Sequence, residues 1–108
     1  MIIHRSEEFE ADLERQFRWY LLETGLDDTD ALALATRFAQ SVDSTLERLR
    51  LNPEIGRLRF RMDAELTGTR SWRILKPFHR FLVFYRIREN IISVERLLEG
   101  HSRDAAGN

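Results

Sequence analysis

Apolar positions along this chain follow two periods. They recur every three or four residues up to about residue 50 and alternate with polar ones from about residue 70, which predicts helices followed by strands. Met1 to His4 is short and β-branched and reads as a strand. Ser6 is a good N-cap, with Glu7 and Glu8 in the first turn, where the helix dipole favours anions. Phe9, Leu13, Phe17 (or Gln16) and Tyr20 follow at helical spacing, with Leu21 flanking them, and Gly25 is a natural residue to end on. The first helix is therefore expected over residues 7–24. Trp19 falls about 100° from the Phe17/Tyr20 stripe, which leaves it either half-buried at a seam or facing another chain. Asp27, Asp28 and Thr29 cap a second helix carrying Leu32, Ala35, Phe38, Ala39, Val42, Leu46 and Leu49 as its core stripe. Asn52 ends it, because a residue before proline is pushed out of the helical region. A short acidic turn between the two makes an antiparallel helical hairpin.

Pro53, Gly56 and Gly68 punctuate the loop at 53–69. Within it Arg57, Arg59 and Arg61 alternate with Leu58, Phe60 and Met62, a pattern that fits a short strand or an extended basic arm. Arg70 to Lys76 reads as a strand, ended by Pro77, with Trp72 and Ile74 on one face and Ser71, Arg73 and Leu75 on the other. His79 to Arg88 is the strongest strand. Phe81, Val83, Tyr85 and Ile87 share one face, and Arg80, Leu82, Phe84, Arg86 and Arg88 share the other. Glu89-Asn90 makes a tight turn, Asn tolerating positive φ, and Ile91 to Leu98 returns.

A two-residue turn sets Ile87 opposite Ile92, Tyr85 opposite Val94, Val83 opposite Arg96 and Phe81 opposite Leu98, and facing residues share a side of the sheet. That side is apolar except for Arg96. The other is mixed, with Leu82, Phe84, Arg86, Arg88, Ser93, Glu95 and Leu97. Two placements of Arg96 remain open. It pairs with an acid of the first helix such as Asp12 or Glu14, or a bulge turns it to the open face. The fold class is α+β. A short N-terminal strand and an antiparallel helical hairpin pack on one face of a small antiparallel sheet, in the order β-α-α-β-β-β. Residues 1–104 are expected to form a single domain and 105–108 a flexible tail.

Composition narrows this. The chain has 108 residues and is 43% hydrophobic, as a globular domain is. It has no cysteine, which excludes disulfides and thiolate chemistry. It shows no apolar run long enough to span a membrane and no signal-peptide pattern at its N-terminus, so a cytoplasmic protein without a membrane partner is expected. Nothing in the pattern asks for a metal or a cofactor. Net charge is −1, but residues 1–50 hold six arginines against eleven acids and residues 51–108 hold eleven basic residues against seven acids. The split predicts an acidic helical layer and a basic sheet, fit either to attract each other or to meet an anionic partner. Every basic residue but Lys76 is arginine, whose planar fork suits phosphate and carboxylate.

Three stretches resemble a known family. ELTGTRSWRI (Glu65 to Ile74) resembles an l-x-G-x-R-x-W run. FHRFLVFYRI (Phe78 to Ile87) resembles f-x-x-y-l-v-f-Y-R, and VERLLEGHSRD (Val94 to Asp104) resembles i-x-R-V-L-H-G-x-R-D. In this order they resemble the RelE/ParE superfamily of bacterial type II toxin–antitoxin systems. The last stretch departs from the pattern. Glu99 stands where the family has His, and the segment is one residue longer, with His101 after Gly100.

The resemblance implies one of two activities. ParE-like members bind and poison DNA gyrase, inhibiting growth, without known catalytic residues. RelE-like members are ribosome-dependent mRNA endoribonucleases, in which basic residues on the open sheet face hold phosphate and a C-terminal Tyr or His moves a proton. Both are held by a cognate antitoxin, which allows a dimer or a toxin–antitoxin heterotetramer. A ribonuclease needs cations, a proton acceptor and a proton donor. The candidates are Arg73 and Arg86 for the phosphate, Glu95 as base and His101 as proton carrier. Tyr85 points to the core by parity, and His79 sits in a turn. This thin acid–base set and the long helical hairpin favour the ParE-like reading, in which the chain is no enzyme. The candidate target- or antitoxin-binding residues are Trp19, Arg73, Arg86, Arg88, His101 and Arg103.

Overall fold

The computed structural model describes residues 1–59 and 68–100. Within them the chain runs β1 (Ile2–Arg5), α1 (Glu7–Leu22), α2 (Asp28–Leu51), β2 (Arg57–Arg59), β3 (Thr69–Arg73), β4 (Phe81–Arg88) and β5 (Ile91–Glu99). Both helix starts are capped as the residue types require. The Ser6 hydroxyl accepts from the Phe9 N–H at 3.0 Å and the Asp27 carboxylate from the Asp30 N–H at 2.8 Å. α1 stops two residues earlier than its apolar stripe suggests. The Thr24 hydroxyl donates to the Tyr20 carbonyl at 3.1 Å, and Gly25 then turns with φ +77°.

The strands form one sheet in the order β1-β5-β4-β3-β2. β2 to β5 pair antiparallel, whereas β1 lies parallel to β5, Ile2 beside Ile91 and Arg5 beside Val94. The α+β architecture is the expected one. The sheet is mixed rather than purely antiparallel, and it carries one more strand, because Arg57–Arg59 do pair with β3. Residues 60–62 of the alternating run lie outside the described residues.

α1 and α2 cover one face of the sheet. Phe38 of α2 is the hub beneath them, with ring centroids 5.2 Å from Tyr20, 5.3 Å from Phe78 and 5.2 Å from Phe81. Tilted and edge-on pairs of this kind add about 0.5–1.5 kcal/mol each beyond area burial. The hub fixes the rotation of α2. Ala31, Ala35, Phe38, Val42, Leu46 and Leu49 are buried, and Leu32, expected in the core, is 53% exposed. Thr45 is buried too, its hydroxyl donating to the Ser41 carbonyl at 2.7 Å and accepting from the Leu75 N–H at 3.2 Å.

The β4–β5 hairpin begins in the expected register, with Ile87 opposite Ile92 and Tyr85 opposite Val94. Glu89, not Asn90, takes the positive φ, +54°. Past Val94 the register slips by one residue. Phe84 faces Arg96, Val83 faces Leu97, Leu82 faces Leu98 and Phe81 faces Glu99. The expected pairs Val83/Arg96 and Phe81/Leu98 are therefore wrong. A bulge at Glu95 moves Arg96 and Leu98 off the core face and brings Leu97 onto it, buried beside Val83.

The bulge occurs where β5 loses its neighbour. β1 pairs only as far as Val94. The Ser6 hydroxyl then donates to the Glu95 carbonyl at 2.8 Å, and the Asp12 carboxylate accepts from the Leu97 N–H at 2.9 Å. Asp12 also receives Arg96 on both oxygens, at 2.7 and 3.0 Å, and Arg15 at 3.1 Å. The two placements left open for Arg96 are thus one arrangement: the bulge carries it out of the core, and its guanidinium reaches Asp12 around the strand edge.

Burial alone would raise the Asp12 pKa. The hydrogen bonds from Arg96, the Leu97 amide and Arg15 outweigh it and hold the carboxyl below its usual 3.8. Its stabilising contribution is full above that value and lost as pH falls through the lower folded one. Urea unfolding should therefore show a stability loss below about pH 4 that Asp12→Asn flattens. At neutral pH, Asp12→Ala should cost about 2 kcal/mol, because it leaves the buried Leu97 amide without its acceptor. A cost under about 1 kcal/mol, the level of an exposed ion pair, would contradict this role.

Candidate functional site

The face of the sheet away from the helices collects side chains from every strand. β4 alternates, so Phe81, Val83 and Tyr85 point to the helices while Phe84, Arg86 and Arg88 point away. Pairing adds Ser71 opposite Phe84 and Arg73 opposite Leu82 from β3, Arg57 and Arg59 from β2, and Ser93 opposite Arg86 from β5. Glu95 is the bulge residue. The Arg59 Nε donates to the Ser71 hydroxyl at 2.9 Å, and its guanidinium lies 5.8 Å from the Phe84 ring centre. Arg86 pairs with Glu95 at 3.2 Å. Arg73 donates to the His79 carbonyl at 2.9 Å, and Arg88 is exposed at the far end of β4. A guanidinium-rich strip thus crosses the sheet, with one carboxylate, Glu95, in it among the described residues.

The structure brings Arg73, Arg86, Arg88 and Glu95 together on this face, as strand parity predicts. Leu97, expected there, is turned to the core by the bulge. Trp19 is elsewhere, on the helical layer, 45% exposed and edge-on to Tyr20 at 5.5 Å. His101 and Arg103 lie outside the described residues. The sequence reading missed His4. The parallel pairing of β1 sets it beside Ser93, which itself faces Arg86, so an exposed imidazole joins the strip. Nothing local in the first four residues signals which strand β1 will flank.

Tyr85 has a structural role. Its hydroxyl donates to the Pro53 carbonyl at 2.7 Å and accepts from the Gly56 N–H at 2.9 Å, pinning the loop after α2 to the sheet. Burial pushes the phenol above its usual 10.0. A Cβ on Gly56 would land on that hydroxyl, so this position takes glycine.

Residues 3–104 match the model of a family described as the ParE toxin of the type II toxin–antitoxin system parDE. The chain belongs to the ParE toxin family. Its fold is similar to a chain from the chromosomal ParDE system of P. aeruginosa, with a TM-score of 0.68 at 18% identity over 94% of this chain and 97% of that one. It is more distantly similar to a chain of the intact E. coli RelBE toxin–antitoxin complex, with a TM-score of 0.50 at 10% identity over 93% of this chain and 96% of that one. No curated protein sequence matches the chain. At these identities the structural likeness speaks to the fold, and the family match makes the chain a ParE-type toxin by descent. Among the described residues of this ParE-family chain, no group of acids and histidines could hold a metal ion, and no helix is long and apolar enough to cross a membrane.

The Tyr85 assignment is testable apart from function. Tyr85→Phe should lower unfolding stability by about 1–3 kcal/mol, since it leaves the buried Gly56 amide and the part-buried Pro53 carbonyl without their partner. Unchanged stability would contradict this role.

Proposed function

We propose that this chain is the toxin of a type II toxin–antitoxin pair, that it acts in the cytoplasm by binding DNA gyrase, and that a cognate antitoxin neutralises it. The observation that carries the choice of gyrase over RNA cleavage is the state of the sheet's polar groups. Among the described residues, the phenol at mid-sheet is spent on the Pro53–Gly56 loop and the carboxylate of the strip is tied to Arg86, which leaves His4 at the β1 edge as a single acid–base group where cleavage needs both a proton acceptor and a donor. General acid–base cleavage needs such groups poised on the phosphate. A binding face needs only cations and shape. Its arginines, set among Ser71, Ser93 and Phe84, suit an anionic protein surface.

The antitoxin's place follows from the same surfaces. An acidic, amphipathic segment laid over Arg73, Arg86 and Arg88 would neutralise the face, and the exposed Trp19 on the helical hairpin offers a second anchor. In co-expression, Trp19→Ala and Arg86→Glu should each weaken capture of the antitoxin at least about tenfold. Unchanged capture by both would remove these positions from the interface.

The target is tested by adding the purified chain in parallel to a gyrase supercoiling reaction and to a translating ribosome extract. Inhibited supercoiling with intact mRNA is expected. Codon-spaced mRNA cuts, abolished by His101→Ala with supercoiling untouched, would overturn the gyrase reading in favour of a RelE-like ribonuclease.

A further inference from the structure

β4 is the central strand of the five, so a ligand that crosses the arginine strip passes over Arg86. To one side lie Ser93 of β5 and His4 of β1, and to the other Ser71 and Arg73 of β3 and the β2 arginines. Glu95 sets its carboxylate into this crossing. Its Oε1 accepts from the Arg86 Nε at 3.2 Å, with the arginine side chain 22% and the glutamate side chain 37% exposed. Glu95 is the bulge residue, and its backbone is fixed from the helical layer. Its carbonyl accepts from the Ser6 hydroxyl at 2.8 Å, and the same hydroxyl caps α1 by accepting from the Phe9 N–H. The carboxylate is therefore anchored in the middle of the strip by a strand, not carried on a loop.

Two kinds of anionic partner meet this fixed charge differently. A protein surface is irregular in charge. It can set a carboxylate over Arg73 or Arg88 and a hydroxyl, an amide or a cation over Glu95. A polynucleotide has no such choice, since every nucleotide brings a phosphate, and a backbone laid across the strip carries one against Glu95. One fixed carboxylate among the cations thus costs a nucleic acid more than it costs a protein, which is discrimination by repulsion. The repulsion matters because the face otherwise holds what single strands bind. Guanidinium groups suit the phosphates, and the half-buried Phe84, with Arg59 at 5.8 Å from its ring centre, suits a stacked base.

We propose that Glu95 keeps nucleic acid off the arginine strip and so reserves the strip for a protein partner. Glu95 is then a specificity-determining residue of the binding face. Its contact with Arg86 is a single, part-exposed one, which contributes little to stability, so removing it changes what the strip binds without unfolding the chain. The inference rests on the reading of the strip as a protein-binding face. Its test needs neither gyrase nor antitoxin, so failure of the one leaves the other standing.

The test uses the full chain and a fluorescein-labelled, mixed-sequence DNA single strand of about 20 nucleotides, followed by anisotropy over a salt series from about 50 to 200 mM. Glu95→Gln, which keeps the shape of the side chain, should bind the strand about fivefold more tightly than the native chain at the lowest salt. Its plot of log affinity against log salt should be steeper by about 0.7, the increment for one further phosphate contact. Glu47→Gln removes the same charge from the exposed side of α2, where Glu47 pairs with Arg50, and should change the affinity by less than about twofold. Ser93→Glu added to Glu95→Gln returns a carboxylate to the position facing Arg86 and should bring the affinity back to within about twofold of the native chain. All three variants should keep the native thermal midpoint. The proposal is overturned if Glu95→Gln gains less than about twofold, if Glu47→Gln gains as much, or if the carboxylate returned at Ser93 leaves the gain in place.

Discussion

The Asp12 carboxylate, buried under α1 at the edge of β5, is the group on which the register of the β4–β5 hairpin depends. It accepts the Leu97 amide and both arms of Arg96 at the point where β1 has ended. Without it, the buried Leu97 amide, past the end of β1, would have no strand to pair with. With it, the strand absorbs one extra residue at Glu95, Leu97 enters the core beside Val83, and the arginine that parity would bury is carried out. A buried carboxylate would ordinarily be costly. Here the backbone donor and the guanidinium offset its desolvation.

From that register the two layers take their separate characters. The helix-facing side of the sheet closes on the Phe38 hub. The outward side keeps Arg73, Arg86, Arg88 and Glu95, joined by Arg57 and Arg59 of β2 and by His4 of β1. Apart from the buried Asp12, the acidic residues concentrated in the first half are exposed on the helical layer, away from this strip. A chain with almost no net charge thus holds a basic face and an acidic one on opposite sides.

Much of this was legible in the residues. Ser6 and Asp27 announce their helices because capping is a local interaction. The alternation from Phe81 to Arg88 assigns both faces of β4, and it places Tyr85 in the core despite its catalytic look. What escaped was set at a distance. The slip after Val94 depends on where β1 ends and on an acid 84 residues away from Arg96, neither of which leaves a mark in the V-E-R-L-L pattern. Leu32 is the larger apolar residue, yet Ala31 is the buried one, because the Phe38 hub and not hydrophobicity at one site sets the rotation of α2. Thr45 reads as polar, but its hydroxyl is consumed by Ser41 and Leu75. His4 reached the strip only through a parallel pairing that no local signal specifies.

The central claim is that the Asp12 clamp sets the register that divides the core face of the sheet from its open face. It is tested most directly by cross-strand NOEs in isotope-labelled protein. The account predicts Val83 opposite Leu97 and Phe84 opposite Arg96, with a slowly exchanging Leu97 amide that loses protection in Asp12→Asn. An unbroken register with Val83 opposite Arg96, or a Leu97 amide indifferent to Asp12, would contradict it.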